Sequence, residues 1–179
     1  NLTSVPAALS YLSADPARTD YWRGRLDKSV RRRVGVVWSG STTHQNDRNR
    51  SIPLDVFAPL LAVSGVEFIS LQKDVRPGDA EVLAGLTSVR PWGGELSDFA
   101  DTAALIAALD LVVTVDTAVA HVAGALGKEV WLLLPFAPDW RWLLKREDSP
   151  WYPSMRLFRQ AAASAWPDVI ARVGAELHG

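Results

Sequence analysis

Two near-continuous apolar runs, "LDLVVTV" at 109–115 and "EVWLLL" at 129–134, bracket a segment of small residues, "DTAVAHVAGALG", at 116–127. A strand with one wet face alternates apolar and polar residues, so runs that are apolar throughout belong to a sheet covered on both faces. The segment between them predicts a helix. A strand–helix–strand unit of this kind sets its two strands parallel.

The rest of the chain repeats the pattern. "VGVVW" (34–38) and "EFISL" (67–71) predict strands, "SVRPW" a short third strand stopping at Pro91, and "MRLF" a last one. Helices are expected from Leu54, with Asp55 near its start, and through "AEVLAGL". Asp98 predicts an N-cap for a helix whose Phe99, Ala103, Ile106 and Leu109 form its apolar stripe, and "WPDVIARVGAEL" closes the chain with Pro167 in its first turn. The fold class is therefore α/β, a Rossmann-like three-layer sandwich around a mostly parallel sheet.

With 179 residues, 48% of them hydrophobic, the chain has material for one such domain. A net charge of −1 offers no electrostatic footing on nucleic acid or anionic lipid. There is no apolar run of about 18 residues and no signal-peptide pattern. The absence of Cys and the presence of only three His argue against thiolate or zinc chemistry. These features set a cytoplasmic expectation. Residues 1–30, rich in turn-formers and basic residues and without a clear strand, read as a connection from a missing N-terminal region, and 31–179 as the domain itself.

Open parallel sheets bind ligands at the carboxyl ends of their strands. Asp116 and Thr117 stand where the first apolar run turns into its helix, so free N–H groups and the helix dipole favour an anion there. Ala118 and its small neighbours keep that helix slim, and His121, four residues beyond Thr117, shares its face. An Asp/Thr cap with His121 satisfied in the core is the alternative. In "SGSTTHQNDRNRS", Ser39, Gly40 and Ser41 permit close backbone approach, while Arg48 and Arg50 offer forks suited to a phosphate. Neither a Walker A sequence nor G-x-G-x-x-G is present, which argues against a P-loop NTPase and an ordinary NAD enzyme. Trp92 could flank a nucleobase or simply pack. Asp139, Trp140, Arg141, Trp142, Trp151 and Tyr152 crowd one loop region that could clamp a sugar, meet a partner domain or pack.

Together, "VGVVWSGSTTHQNDRNRSIPL", "FADTAALIAALDLVVTVDTAVAHVAGALGKEVWLLLP" and "PDWRWLLKREDSPWYPSMRLFRQ" resemble the heptosyltransferase-type glycosyltransferases of family nine, especially bacterial ones fused behind tetratricopeptide repeats. The resemblance spans roughly residues 15–179. It implies a GT-B architecture of two Rossmann-like halves, this chain being the C-terminal, donor-binding one. It places Arg50 on the donor diphosphate, where the family commonly has Lys, Asp116 beside the donor sugar, and Thr117 through His121 around the diphosphate. Pro91 to Gly93 match the nucleobase rim, and Asp79 or Glu81 the ribose carboxylate.

The implied reaction is glycosyl transfer from a nucleoside-diphosphate sugar, with no metal and no further cofactor. The implied partners are an N-terminal acceptor half, which would also supply the general base, and the repeats. Alone, the chain would then bind donor with little or no transfer. Two other readings are a repeat-associated binding domain without catalysis and a GT-B-like sugar epimerase. A phosphoacceptor receiver domain fits less well, lacking paired acids after the first strand.

Overall fold

The computed structural model describes Val5, residues 9–26 and residues 32–178. Helix α1 (Pro16–Arg25) precedes strand β1 (Arg32–Val37), followed by α2 (Asp47–Arg50), α3 (Leu54–Leu61), β2 (Val66–Ser70), α4 (Pro77–Gly85) and β3 (Val89–Arg90). Next come α5 (Phe99–Ala107), β4 (Leu111–Val115), α6 (Ala118–Ala125), β5 (Glu129–Leu134), β6 (Met155–Arg159) and α7 (Trp166–His178). Two 3₁₀ turns, Trp92–Glu95 and Trp140–Trp142, stand at the carboxyl edge.

The six strands form one parallel sheet in the order β3-β2-β1-β4-β5-β6. The chain runs outward from β1 to β3, then returns to lay β4 against the free side of β1, pairing Val34 with Leu111 through Val37 with Thr114. Loops leaving β1 and β4 therefore diverge to opposite faces and open a crevice between them.

Both faces of the sheet are covered. Val34, Val36, Leu111, Val113, Val115 and Leu133 point into one apolar layer with Phe57, Leu61, Val169 and Val173 of α3 and α7. Val37, Val112, Val130 and Leu132 point into the other, with Leu105 of α5, Ala120 and Ala123 of α6, and Trp22 of α1. This two-sided burial is why the strands read as continuous apolar runs, each large side chain contributing about 1.5–3 kcal/mol.

Local signals set most element ends. Asp98 accepts from the Asp101 N–H at 2.8 Å to cap α5, and Pro91, lacking an N–H, stops β3 after two residues. Phe99 departs from the buried stripe expected for α5. It is 64% exposed, because the helix's first residue overhangs the open edge of the sheet. Within the segment read as a connection, α1 is a packed helix: Asp15 caps it by accepting from Arg18 N–H at 2.8 Å, Trp22 and Leu26 are buried, and Arg18 pairs with Asp98 and Asp101 of α5. The boundary expected at residues 30 and 31 lies outside the described residues. Among the described residues, no helix is long and apolar enough to cross a membrane.

Candidate functional site

The crevice is built outward from the loop after β1. Gln72, buried just beyond β2, uses its side-chain amide as a clamp: Oε1 accepts from the Trp38 and Ser39 N–H groups at 3.2 and 3.1 Å, and Nε2 donates to the Ser39 and Asp74 carbonyls at 3.0 Å each. Asp79 of α4 accepts from Trp38 Nε1 at 2.9 Å and from the Leu54 N–H at 3.0 Å, so it ties α3 and the loop to α4. That work places Asp79 in the scaffold rather than on a ribose. Glu81 is exposed on the same helix.

Arg50 comes next. The short helix α2 carries its side chain, only 11% exposed, under the loop, where Nη1 donates to the Asp116 carbonyl at 2.7 Å. The guanidinium lies flat beneath Gly40, so close that a Cβ there would sit 2.5 Å from Nη2 and 2.7 Å from Cζ. Asp47 stands between two cations, 4.0 Å from Arg50 and 2.6 Å from Arg76. Arg76 also donates to the Gly40 carbonyl at 3.2 Å and to Ser51 Oγ at 3.0 Å. Asp47 is thus shared between two guanidinium groups. Arg50 Nε and Ser39 Oγ are buried there without hydrogen-bond partners.

From the other side, β4 ends at Val115, the chain turns through Asp116 and Thr117, and α6 begins. The Thr117 side chain makes no capping bond, and while the Ala120 N–H donates to the Thr117 carbonyl at 3.1 Å, the Ala118 and Val119 N–H groups of α6 are left without intrahelical partners at the mouth of the crevice. Thr117, Ala118 and Val119 line it together with Ser39, Gly40, Ser41 and Arg50, in a cleft of about 430 Å³ whose far wall is Leu96, Phe99 and Thr102. An anion in that cleft would meet a helix N-terminus, a buried guanidinium and small-residue backbone at once.

His121 is held elsewhere. Its Nδ1 lies 2.9 Å from the Tyr152 hydroxyl, its ring stacks on Trp142 at 5.4 Å between centroids, and its Nε2 stands 4.0 Å from Asp116 Oδ1. Burial lowers its pKa below the ordinary 6.5, against the opposing pull of Asp116. The slimness of α6 also serves this loop more than the sheet, since a Cβ at Gly124 would fall 2.6 Å from the Tyr152 ring.

The structure thus brings together Ser39, Gly40, Ser41, Arg50, Thr117 and Ala118, with Asp116 forming the wall between this cleft and the His121 side. Three other expected contacts fall away from it. Arg48 is exposed and lines a separate cleft with Pro135 and Phe136, because the single turn of α2 sends it away from Arg50. Trp92 is buried, 5.5 Å from the Trp22 ring and with the Arg25 guanidinium 4.7 Å from its own ring, so it packs instead of presenting a face. Gly93 is pressed against the backbone of Gln72, where a Cβ would meet the carbonyl oxygen at 2.0 Å. Sequence reasoning passed over Arg76, Asp47 and the clamping role of Gln72. Of the three, only Asp47 lies close to the glycine loop in the sequence.

Comparison with known proteins bears on this geometry. Residues 94–133 match the family model of glycosyltransferase family 9 (heptosyltransferase). The matched stretch runs from the turn after β3 into β5 and holds Asp116, Thr117 and His121. Protein FlbA of Caulobacter vibrioides is 32% identical over 179 residues, an alignment covering 97% of this chain and 30% of FlbA. The solved E. coli ADP-heptose lps heptosyltransferase II superposes with a TM-score of 0.63 at 20% identity, over 93% of this chain and 53% of that one. The fold is that of the heptosyltransferase, a GT-B protein, and the chain spans about half of that structure's length.

Proposed function

We propose that this chain is the nucleoside-diphosphate-sugar-binding half of a GT-B glycosyltransferase. The observation that carries the reading is Arg50, its side chain nearly buried at the switch between β1 and β4, anchored on the Asp116 carbonyl and with Nε making no hydrogen bond beneath Gly40. A pyrophosphate in the crevice takes the first N–H groups of α6, the Arg50 fork and Ser39 Oγ as its donors. Leu96 and the overhanging Phe99 offer apolar surface for the nucleobase at the far wall, in place of Trp92. Asp116 faces the glycosyl group.

In transfer, an acceptor oxygen bonds to the anomeric carbon as the bond to the diphosphate oxygen breaks, and the acceptor proton passes to a base. These donors stabilise the leaving diphosphate as charge develops on it, in a site fixed beforehand by Gln72 and Asp79. The partner of this half is a second Rossmann-like half bringing acceptor and base. Tetratricopeptide repeats are the further partner that the sequence resemblance suggests.

Calorimetric titration with UDP, GDP and ADP, with the matching monophosphates as controls, tests the reading. One diphosphate should bind in preference to its monophosphate. A folded sample that binds no diphosphate overturns it.

A further inference from the structure

Arg48, which the donor cleft does not use, lines a second and larger cavity of about 800 Å³. It opens at the carboxyl edge of the sheet between α2, residues 135–137 after β5, and the loop from β6 to α7. Its volume falls within the range of small-molecule sites, about 300–1,000 Å³. We infer that this cavity is a second ligand site, taking a small organic anion, a carboxylate or phosphate carried on an apolar body.

Two donors on its walls carry the inference. Gln160, directly after β6 and only 6% exposed, ties its loop to the one after β5. Its backbone N–H donates to the Leu134 carbonyl and its Oε1 accepts from the Phe136 N–H, each at 3.0 Å. The second bond fixes which way the amide faces, so Nε2 is the end left over, buried without a hydrogen-bond partner. Buried donors are almost always matched, and this one calls for an acceptor that the chain does not supply. Arg48 adds the charge. Its exposed guanidinium makes no ion pair or hydrogen bond among the described residues, and its planar fork suits carboxylate and phosphate alike.

The surroundings favour an anion over other guests. Asp47, the one acid among the lining residues, is already occupied: Oδ2 accepts from Arg76 at 2.6 Å and Oδ1 from Ser51 Oγ at 2.7 Å, so a cation finds no free carboxylate. Helices α3 and α7 both start at the rim, with Pro53 and Val56 of the first and Trp166 and Pro167 of the second in the lining, and set the positive ends of their dipoles there. Their first-turn carboxylates, Asp55 and Asp168, are not among the lining residues. The apolar body has a surface of its own, because Phe136 is 58% exposed and Pro135 and Pro167 border it. A bare ion leaves that surface uncovered, and a neutral guest leaves the Arg48 charge unmatched.

The test titrates the chain with phenylpropionate and phenyl phosphate, with phenylpropanol as the neutral control and inorganic phosphate as the bare ion. Nitrogen–proton correlation NMR follows the side-chain amides. At least one of the aromatic anions should bind and shift the Gln160 amide signal, and the tighter binder names the head group. That signal is identified by its absence in Gln160→Glu, which keeps an acceptor for the Phe136 N–H. Arg48→Ala, at an exposed position, should weaken binding about tenfold or more, and Arg48→Lys should recover part of it. The inference is overturned if neither anion binds, if phenylpropanol or inorganic phosphate binds as tightly as the better anion, or if Arg48→Ala leaves the affinity unchanged. The site stands independently of the diphosphate reading. UDP, GDP and ADP should leave the bound anion in place, whether or not they bind in the Arg50 cleft. Its displacement by any of them makes the cavity an extension of that cleft and also overturns the inference.

Discussion

Arg50 Nη1 and the Asp116 carbonyl oxygen, 2.7 Å apart, join the loop after β1 to the turn after β4 across the point where the strand order reverses. The bond aims the guanidinium while leaving its Nε free of hydrogen bonds. Replacing Arg50 by Ala should weaken nucleoside-diphosphate binding by roughly 1.5–3 kcal/mol, as for loss of a charge-assisted hydrogen bond. Arg50→Lys should recover only part of that, because it keeps the charge without the planar fork. Titration calorimetry on the folded variants decides, and equal affinity for wild type and Arg50→Ala removes this residue from the site.

Gly40→Ala offers a subtler probe. The three atoms nearest the added methyl all belong to the tip of the Arg50 side chain, at 2.5 to 2.8 Å, and that tip can move. Its thermal midpoint should stay near that of the wild type, while diphosphate affinity falls because the guanidinium has been pushed aside. A marked loss of stability with affinity retained would contradict this.

Gln72→Leu should do the opposite, acting first on stability. It orphans the Trp38 and Ser39 N–H groups and two carbonyls in a buried position. A cost of at least about 1–3 kcal/mol follows from leaving buried polar groups unmatched. Urea denaturation would register it as a lower midpoint at unchanged slope.

His121 should make stability pH-dependent. Burial lowers its folded pKa below the ordinary 6.5, so the unfolded chain binds the proton more readily. The contribution is complete above 6.5 and is lost as pH falls from there through the lowered folded value. His121→Gln should flatten that part of the stability profile. A chemical-denaturation series across mildly acidic pH, run on both proteins, reads the difference directly.

Trp22→Ala tests whether α1 belongs to the domain. Trp22 is buried against Trp92, at 5.5 Å between rings. Truncating a buried Trp costs about 3–5 kcal/mol, whereas a loosely tethered connection would tolerate the change without a shift in the unfolding midpoint.

The layered sheet was legible because its strands are buried on both sides, which forces unbroken apolar runs, and β5 spans the expected 129–134. The segment holding α1 was harder to read. Among its described residues only Thr19, Trp22 and Leu26 are buried, amid basic residues, so no helical stripe stands out against a connecting segment. At the crevice, small residues, an Arg and an Asp-Thr turn could be read as an anion site, and the structure gathers them. Spacing could not foresee that the loop after β5 folds over α6 and holds His121 on Tyr152 and Trp142. Nor does one dimension reveal Gln72 or Arg76, whose partners in the loop after β1 and in α2 and its C-cap lie 25 to 36 positions away.

The four hydrogen bonds of the Gln72 amide carry a kinetic consequence. A glycine-bearing loop left to itself would sample many shapes, and a ligand would have to wait for, or induce, the competent one. Clamped from below, this loop meets its ligand already ordered, with little conformational entropy left to lose on association. Complex formation should then follow single-step kinetics, its observed rate climbing linearly with ligand concentration instead of levelling off at the speed of a loop closure.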